Sequence, residues 1–222
     1  MKKSLLLLSL LALPGFAQAD TNLIQNGGFE SYTVTSGNFV HIDSGSIPAN
    51  TYWEPIAGAP TEFLEIRNNL AGIAQEGVNF AELDSVGTSG IQQTFNLASA
   101  SIGSLSWFYS PRPGNTEVGV NDYEVLLNGS NIYTLTSSIG NATGNTIWTE
   151  FTVNNLNLLA GDNTLTFKSI FVPGVVVHEG ANIDNISLTA TSVAAVPEPE
   201  TYGMMLAGLA MLGFVSRRRR GA

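Results

Sequence analysis

The 222-residue chain has no cysteine. Disulfides, thiolate metal sites and thiol nucleophiles are therefore excluded. Bases are scarce as well. Between Asp20 and Ser192 only Arg67, Arg112 and Lys168 stand against 16 acids, a net charge of −13. Nothing in that stretch would neutralise phosphates, which excludes nucleic acid as a partner. An acidic surface suits divalent cations and neutral glycans instead. The two histidines, His41 and His178, lie far apart in no metal-binding pattern and read as surface or turn residues. There is no G-x-S-x-G elbow, and the glycines between Gly140 and Gly144 lack the lysine and helix of a phosphate loop. No apolar run reaches the roughly 20 residues a helix needs to cross a bilayer.

Strand signals are dense. Leu165 and Phe167 alternate with Thr164, Thr166 and Lys168, the pattern of a half-buried strand. Tyr123, Val125 and Leu127 alternate in the same way. Asn128-Gly129 then predicts a tight turn, with Ile132 to Leu135 returning. Leu105 and Trp107 alternate with serines, Tyr109 continues the spacing past Phe108, and Pro111 and Pro113 stop the run. Further strands are predicted at Phe63–Arg67, Asn79–Asp84, Ile91–Phe95, Trp148–Val153 and Asn182–Leu188. Many short strands with turn residues between them predict an all-β, antiparallel sandwich over residues 20–192. That length is enough for one sizeable core.

Both ends read as processing signals. Lys2 and Lys3 precede the apolar run Leu5–Leu13, Pro14-Gly15 breaks it, and Ala17-Gln18-Ala19 offers small residues to a signal peptidase. Residues 1–19 are thus expected to be a signal peptide. A linker carrying Pro197-Glu198-Pro199 covers 193–201. An apolar run of 14 residues, Tyr202 to Val215, comes next, and Arg217, Arg218, Arg219 and Arg220 close the segment 202–222. The prolines stiffen the peptide and the arginines favour the cytoplasmic side. This order of parts resembles the PEP-CTERM sorting signal of Gram-negative bacteria. The resemblance implies export, a transmembrane helix before processing, and cutting by a membrane enzyme of the exosortase type.

The domain resembles the galactose-binding-like jelly rolls, which include many carbohydrate-binding modules. The residues that carry the resemblance are Asn22 to Glu30, Trp53-Glu54, Ala81 to Ser85, Ile91 to Phe95, Trp107 to Gly114 and Ile183 to Leu188. In such domains the first and last strands lie close together, and a structural Ca2+ often ties them. The matching positions are the Gly28 carbonyl, the Glu30 carboxylate and Asp184, with Asp43 a further ligand candidate. The alternative is that Glu30 caps a turn and Asp184 ends a strand in solvent.

A second constellation is Asp84 with Arg112, whose flanking prolines stiffen its loop. Arg112 either donates to sugar hydroxyls or forks to Asp84 within the fold. Trp53, beside Pro55, is the expected exposed stacking face, while Trp107 and Tyr109 read as core. Glu82 and Asp84 would share one sheet face, as a glycosidase pair could, and Glu62/Glu65 is a similar pair. Paired acids are common in so acidic a domain, so no catalytic residue is assigned. The expectation is a non-enzymatic protein of the cell surface or extracellular matrix that binds neutral polysaccharide. The alternatives are a structural matrix or adhesion protein with no ligand pocket and, as a minor reading, a glycoside-active enzyme. Burial of Trp53, Trp107 and Tyr109 together would favour the structural protein.

Overall fold

The structure is a computed structural model, and it describes residues 21–56, 63–83, 89–170, 179–191, 206–212 and 217. Asp84, His178, Glu62, the signal peptide, Pro197, Glu198, Pro199 and Arg218 to Arg220 lie outside these residues. The chain divides into two compact units, 1–191 and 192–222.

Among the described residues the first unit forms twelve strands. They are β1 (Thr21–Asn22), β2 (Asn38–Asp43), β3 (Glu54–Pro55), β4 (Phe63–Asn68), β5 (Asn79–Glu82), β6 (Gly90–Leu97), β7 (Ser101–Ser110), β8 (Tyr123–Leu127), β9 (Ser130–Leu135), β10 (Thr149–Leu158), β11 (Gly161–Ser169) and β12 (Asn182–Thr191). One sheet runs β10-β7-β12-β5-β4-β2, with β1 beside β12. The other runs β3-β6-β11-β8-β9. Strand pairing is antiparallel in both, and the two sheets make the expected jelly-roll sandwich.

The alternation seen in the sequence is the pleat of this sandwich. Leu105, Trp107, Leu64, Ile66 and Ile183 point inward from the larger sheet. Ile91, Phe95, Val125, Leu165 and Phe167 meet them from the smaller one. Trp107 is wholly buried and anchors the middle. Its ring stacks on Phe151, meets Tyr133 and Phe167 edge-on, and its Nε1 donates to the Tyr123 hydroxyl at 2.9 Å. Asn128 and Gly129 both take positive φ, 53° and 76°, and Leu127 pairs directly with Ser130. This is the two-residue hairpin turn that an Asn-Gly pair favours.

Two features of the sandwich position its buried acids. The first and last strands do meet: Thr21 pairs with Ala190 and Asn22 with Thr189. A β-bulge then interrupts the β12–β7 register between Asp184 and Ser187, with Asn185 at φ 47°. The bulge keeps Ile183 and Ile186 both in the core while Asp184 faces the other way. The Gly27 backbone lies against it: the Ile186 amide donates to the Gly27 carbonyl at 3.0 Å, and a Cβ on Gly27 would collide with the Ile186 carbonyl. Close backbone approach thus explains the first glycine of Asn26-Gly27-Gly28.

Candidate functional site

Four groupings carry chemistry. The first lies where the chain ends meet. Asp184 is fully buried. Its Oδ2 accepts from the Gln75 and Glu76 amides at 2.7 and 3.1 Å, and its Oδ1 from the Asn185 amide at 2.7 Å. Glu30 Oε1 accepts from the Val78 and Asn79 amides at 2.9 and 2.8 Å. Gly28 sits between them: a Cβ there would be 3.5 Å from Glu76 Oε2, 3.8 Å from Asp184 Oδ1 and 4.0 Å from Glu30 Cγ. Gly77 takes φ 63° and has no room for a Cβ beside Glu30. Burial pushes the Asp184 carboxyl up to about 7. The backbone donors pull it down, and the neighbouring Glu30 pushes it up further.

This donor set of carboxylates and a carbonyl suits a hard cation. Glu76 belongs to it and has no signal in the sequence, because nothing local marks a loop acid that is folded back onto β12. The carboxylates are drawn onto backbone N–H groups. Among the described residues no three acids or histidines close at ligating distance. Asp43 lies apart, at the end of β2 opposite Phe63.

The second grouping is a row of charges on the outer face of the larger sheet. His41 Nε2 lies 2.8 Å from Glu65 Oε2, and Arg67 Nε donates to Glu65 Oε1 at 2.5 Å. Arg67 Nη2 contacts Glu82 Oε2, and Arg112 Nη1 contacts Glu82 Oε1. Arg112 also reaches Glu179 at 3.5 Å. Glu65, Arg67 and Glu82 are buried. Burial pushes Glu82 up to about 8, against the pull of Arg67 and Arg112. Burial also pushes Glu65 up, but Arg67 and His41 outweigh it and hold Glu65 below the usual range. Removing one member of such a row costs about 3–5 kcal/mol, because a buried charge loses its partner.

Arg112 is thus an internal residue. Among the described residues its fork meets Glu82 and Glu179; the expected partner Asp84 lies outside them. Glu82 faces Glu65 across the strand pair and is bracketed by arginines.

Trp53 departs from its expected place too. It is wholly buried. Its ring packs on Phe29 and Phe167, and its Nε1 donates to the Asn26 carbonyl at 2.9 Å. The exposed stacking face expected there does not exist. Trp107 and Tyr109 are buried as expected.

The third grouping is an exposed aromatic strip. Phe39, His41 and Phe63 share the outer face of the β2–β4 pair, since Phe39 sits opposite Arg67, His41 opposite Glu65 and Asp43 opposite Phe63. Ring centroids are 5.0 Å apart for Phe39–His41 and 5.2 Å for His41–Phe63. Phe39 is 46% exposed. Their strand-mates Val40 and Ile42 face the core. The alternation Phe39/Val40/His41/Ile42 is the sequence signal that could have found this strand.

The fourth is a cleft of 480 Å³ lined by Asn22, Leu23, Gln25, Tyr52, Gln93, Thr94, Phe95 and Asn96. Tyr52 is 43% exposed and sits at φ 69°.

Residues 195–220 match the PEP-CTERM protein-sorting motif. The tail is a PEP-CTERM sorting signal. It marks an exported protein. Residues 206–212 within it are helical, and no helix among the described residues is long and apolar enough to cross a membrane. No curated protein matches the chain in sequence. Among solved structures, the Stig cyclase Fisc from Fischerella sp. TAU, bound to an indole compound, is similar at TM-score 0.52 and 18% identity. That match covers 78% of this chain and 98% of the cyclase. The module TmCBM61 with β-1,4-galactotriose gives 0.48 and 16%, covering 77% of this chain and 99% of the module. A family 35 carbohydrate-binding module from Clostridium thermocellum gives 0.42 and 14%, covering 68% and 97%. These likenesses are of fold. Likeness at 18% identity shows a fold alone, so the function must be argued from this chain's own surface.

Proposed function

We propose that the sandwich is a non-catalytic binding domain for neutral polysaccharide, exported to the cell surface or extracellular matrix of a Gram-negative bacterium. On this reading a signal peptidase removes residues 1–19, and an exosortase-type enzyme processes the tail at Pro197-Glu198-Pro199.

The observation that carries the reading is the aromatic strip. Phe39, His41 and Phe63 form a continuous row of rings on an open sheet face. Sugar rings carry patches of C–H groups that pack on such faces, and rigid aromatics lose little entropy on binding. Strand pairing holds the row, and the Glu65 contact fixes the His41 ring. The charges beside it pair with one another, and the acidity of the domain repels polyanions. A neutral chain is the ligand that remains.

The Gly28 carbonyl, Glu30 and Asp184, joined by Glu76, would hold one Ca2+. The ion would supply positive charge to three crowded acids and tie the loop after β1, the loop before β5 and β12 together.

In gels containing β-glucan, xylan, galactomannan or the host's own exopolysaccharide, the exported protein should be retarded in at least one. Phe39→Ala should weaken that binding about tenfold, the scale of one lost aromatic contact. The melting temperature should barely move, because Phe39 is half in solvent. Equal retardation of the wild type and Phe39→Ala would remove the strip from the site. One observation favours a structural matrix protein instead: Trp53, Trp107 and Tyr109 are all buried. Failure of every gel to retard the wild type would decide for that reading.

A further inference from the structure

We propose that the Tyr52 cleft, where β1 of the larger sheet meets β6 of the smaller, is a second site for a neutral sugar, built from residues other than those of the aromatic strip. Four observations lead there.

The first is charge. None of the eight residues lining the cleft is ionisable at neutral pH, although the domain carries 16 acids against three bases. The lining is instead amide, hydroxyl and apolar, which fits a ligand of hydroxyl groups with no charge.

The second is preorganisation. Asn22 Oδ1 is held by the Ile24 and Leu188 amides, each at 3.0 Å, and this leaves the Asn22 amide N–H groups as donors. Asn96 Nδ2 donates to Asp162 at 2.7 Å, leaving the Asn96 oxygen as an acceptor. Thr94 Oγ1 is paired with Thr164 Oγ1 at 2.9 Å. Gln93 is clamped at both ends to the Gln25 backbone, at 2.8 and 2.9 Å. The walls are therefore fixed before any ligand arrives, and binding costs less side-chain order.

The third is the ring. Tyr52 is a bulky residue in the left-handed region, φ 69°, where non-glycine residues are strained. The strain turns Tyr52 outward while Thr51 and Trp53 on either side are buried. Among the described residues the Tyr52 ring meets no other ring and its hydroxyl no partner. A strained, solvent-facing tyrosine at the rim of a polar hollow is placed for a ligand rather than for the core.

The fourth is the edge. β3 covers β6 only at Gln92 and Ile91. Gln93 to Asn96 form the cleft wall beyond that short strand. The hollow thus lies where β3 no longer covers β6, between Gln93–Asn96 and the segment from Asn22 to Gln25.

The inference shares with the strip the reading of the domain as a neutral-glycan binder, but it concerns a separate place. Two separate sites would let one molecule hold two polysaccharide chains. Each chain would also be bound more tightly where a single chain reaches both sites.

The test uses the exported protein from its native host in the same four polysaccharide gels, with light scattering to follow cross-linking of the long chains. Tyr52→Ala should weaken retardation about tenfold. Tyr52→Phe, which keeps the ring, should retain most of the binding. Thr94→Lys places a charge in the hollow without touching the core and should act like Tyr52→Ala. Either Tyr52→Ala or Phe39→Ala alone should stop cross-linking while leaving some retardation, and the double variant should lose both. If Tyr52→Ala and Thr94→Lys bind and cross-link like the wild type, the cleft is not a site and the strip stands alone. If Tyr52→Ala abolishes retardation while Phe39→Ala changes nothing, the cleft stands and the strip falls. A wild type that no gel retards overturns both.

Discussion

Glu82 sits between two guanidinium groups and faces Glu65 across the strand pair. Its position explains why Arg112, one of three bases in the domain, is not spare for a ligand. It also gives the fold a pH dependence. Burial raises the Glu82 carboxyl from 4.5 to about 8, with Arg67 and Arg112 opposing. The folded state therefore holds more protons than the unfolded chain between these values, and stability falls as pH rises through that window. Glu82→Gln keeps the shape and hydrogen-bonding capacity but cannot ionise. Melting curves of the variant should depend less on pH between 4.5 and 8 than those of the wild type, and parallel dependence would refute the assignment. Single residues also show where sequence runs out. Tyr52 and Trp53 are adjacent, yet Trp53 is wholly buried and Tyr52 is exposed. Composition could not say which would be buried, because the choice rests on a left-handed φ at Tyr52 and on a hydrogen bond from Trp53 to Asn26, 27 residues away. Phe39 was equally hidden, its alternation being short and broken by a histidine.

Among the elements, β12 and the loop before β5 matter most. The β12 bulge turns Asp184 outward at the point where Gly27 presses on Ile186. The loop's amides from Gln75 to Asn79 then fold onto Asp184 and Glu30. Clean alternation made most strands readable, and the Asn128-Gly129 turn with them. The meeting of the two chain ends was readable only through family resemblance, since pairing between strands so far apart in the chain leaves no local trace. Glu76 was unreadable for the same reason. The packing gives a direct test of the cation. An ion that binds only the folded state stabilises by about 2.7 kcal/mol at a hundredfold excess over its dissociation constant. A chelator should lower the melting temperature of the wild type. Glu30→Ala should melt lower and no longer respond to chelator. Identical wild-type curves with and without chelator, and no metal by elemental analysis, would rule the ion out.

At the scale of the whole molecule, charge and sorting fit together. The acidic domain has few bases, so the basic residues cluster at the two ends: Lys2 and Lys3 before one apolar run, and four arginines after the other. Positive charge of this kind stays on the cytoplasmic side of a membrane. The C-terminal run of 14 apolar residues is short for a bilayer core of about 30 Å. Arginines can reach back to the headgroups and make up part of the difference. Such a segment suits a stop during export better than a lasting anchor. The matched motif covers 195–220 and so includes the recognition peptide, the run and the arginines together. If the protein is sorted by this signal, the mature surface form from the native host has lost the apolar run and Arg217 to Arg220. Intact mass should place the new C-terminus near Pro197-Glu198-Pro199, while the sandwich up to Thr191 stays whole. Recovery of the arginine cluster in most of the mature surface protein would show that the tail is kept as an anchor, and that the domain extends from the membrane only as far as the linker allows.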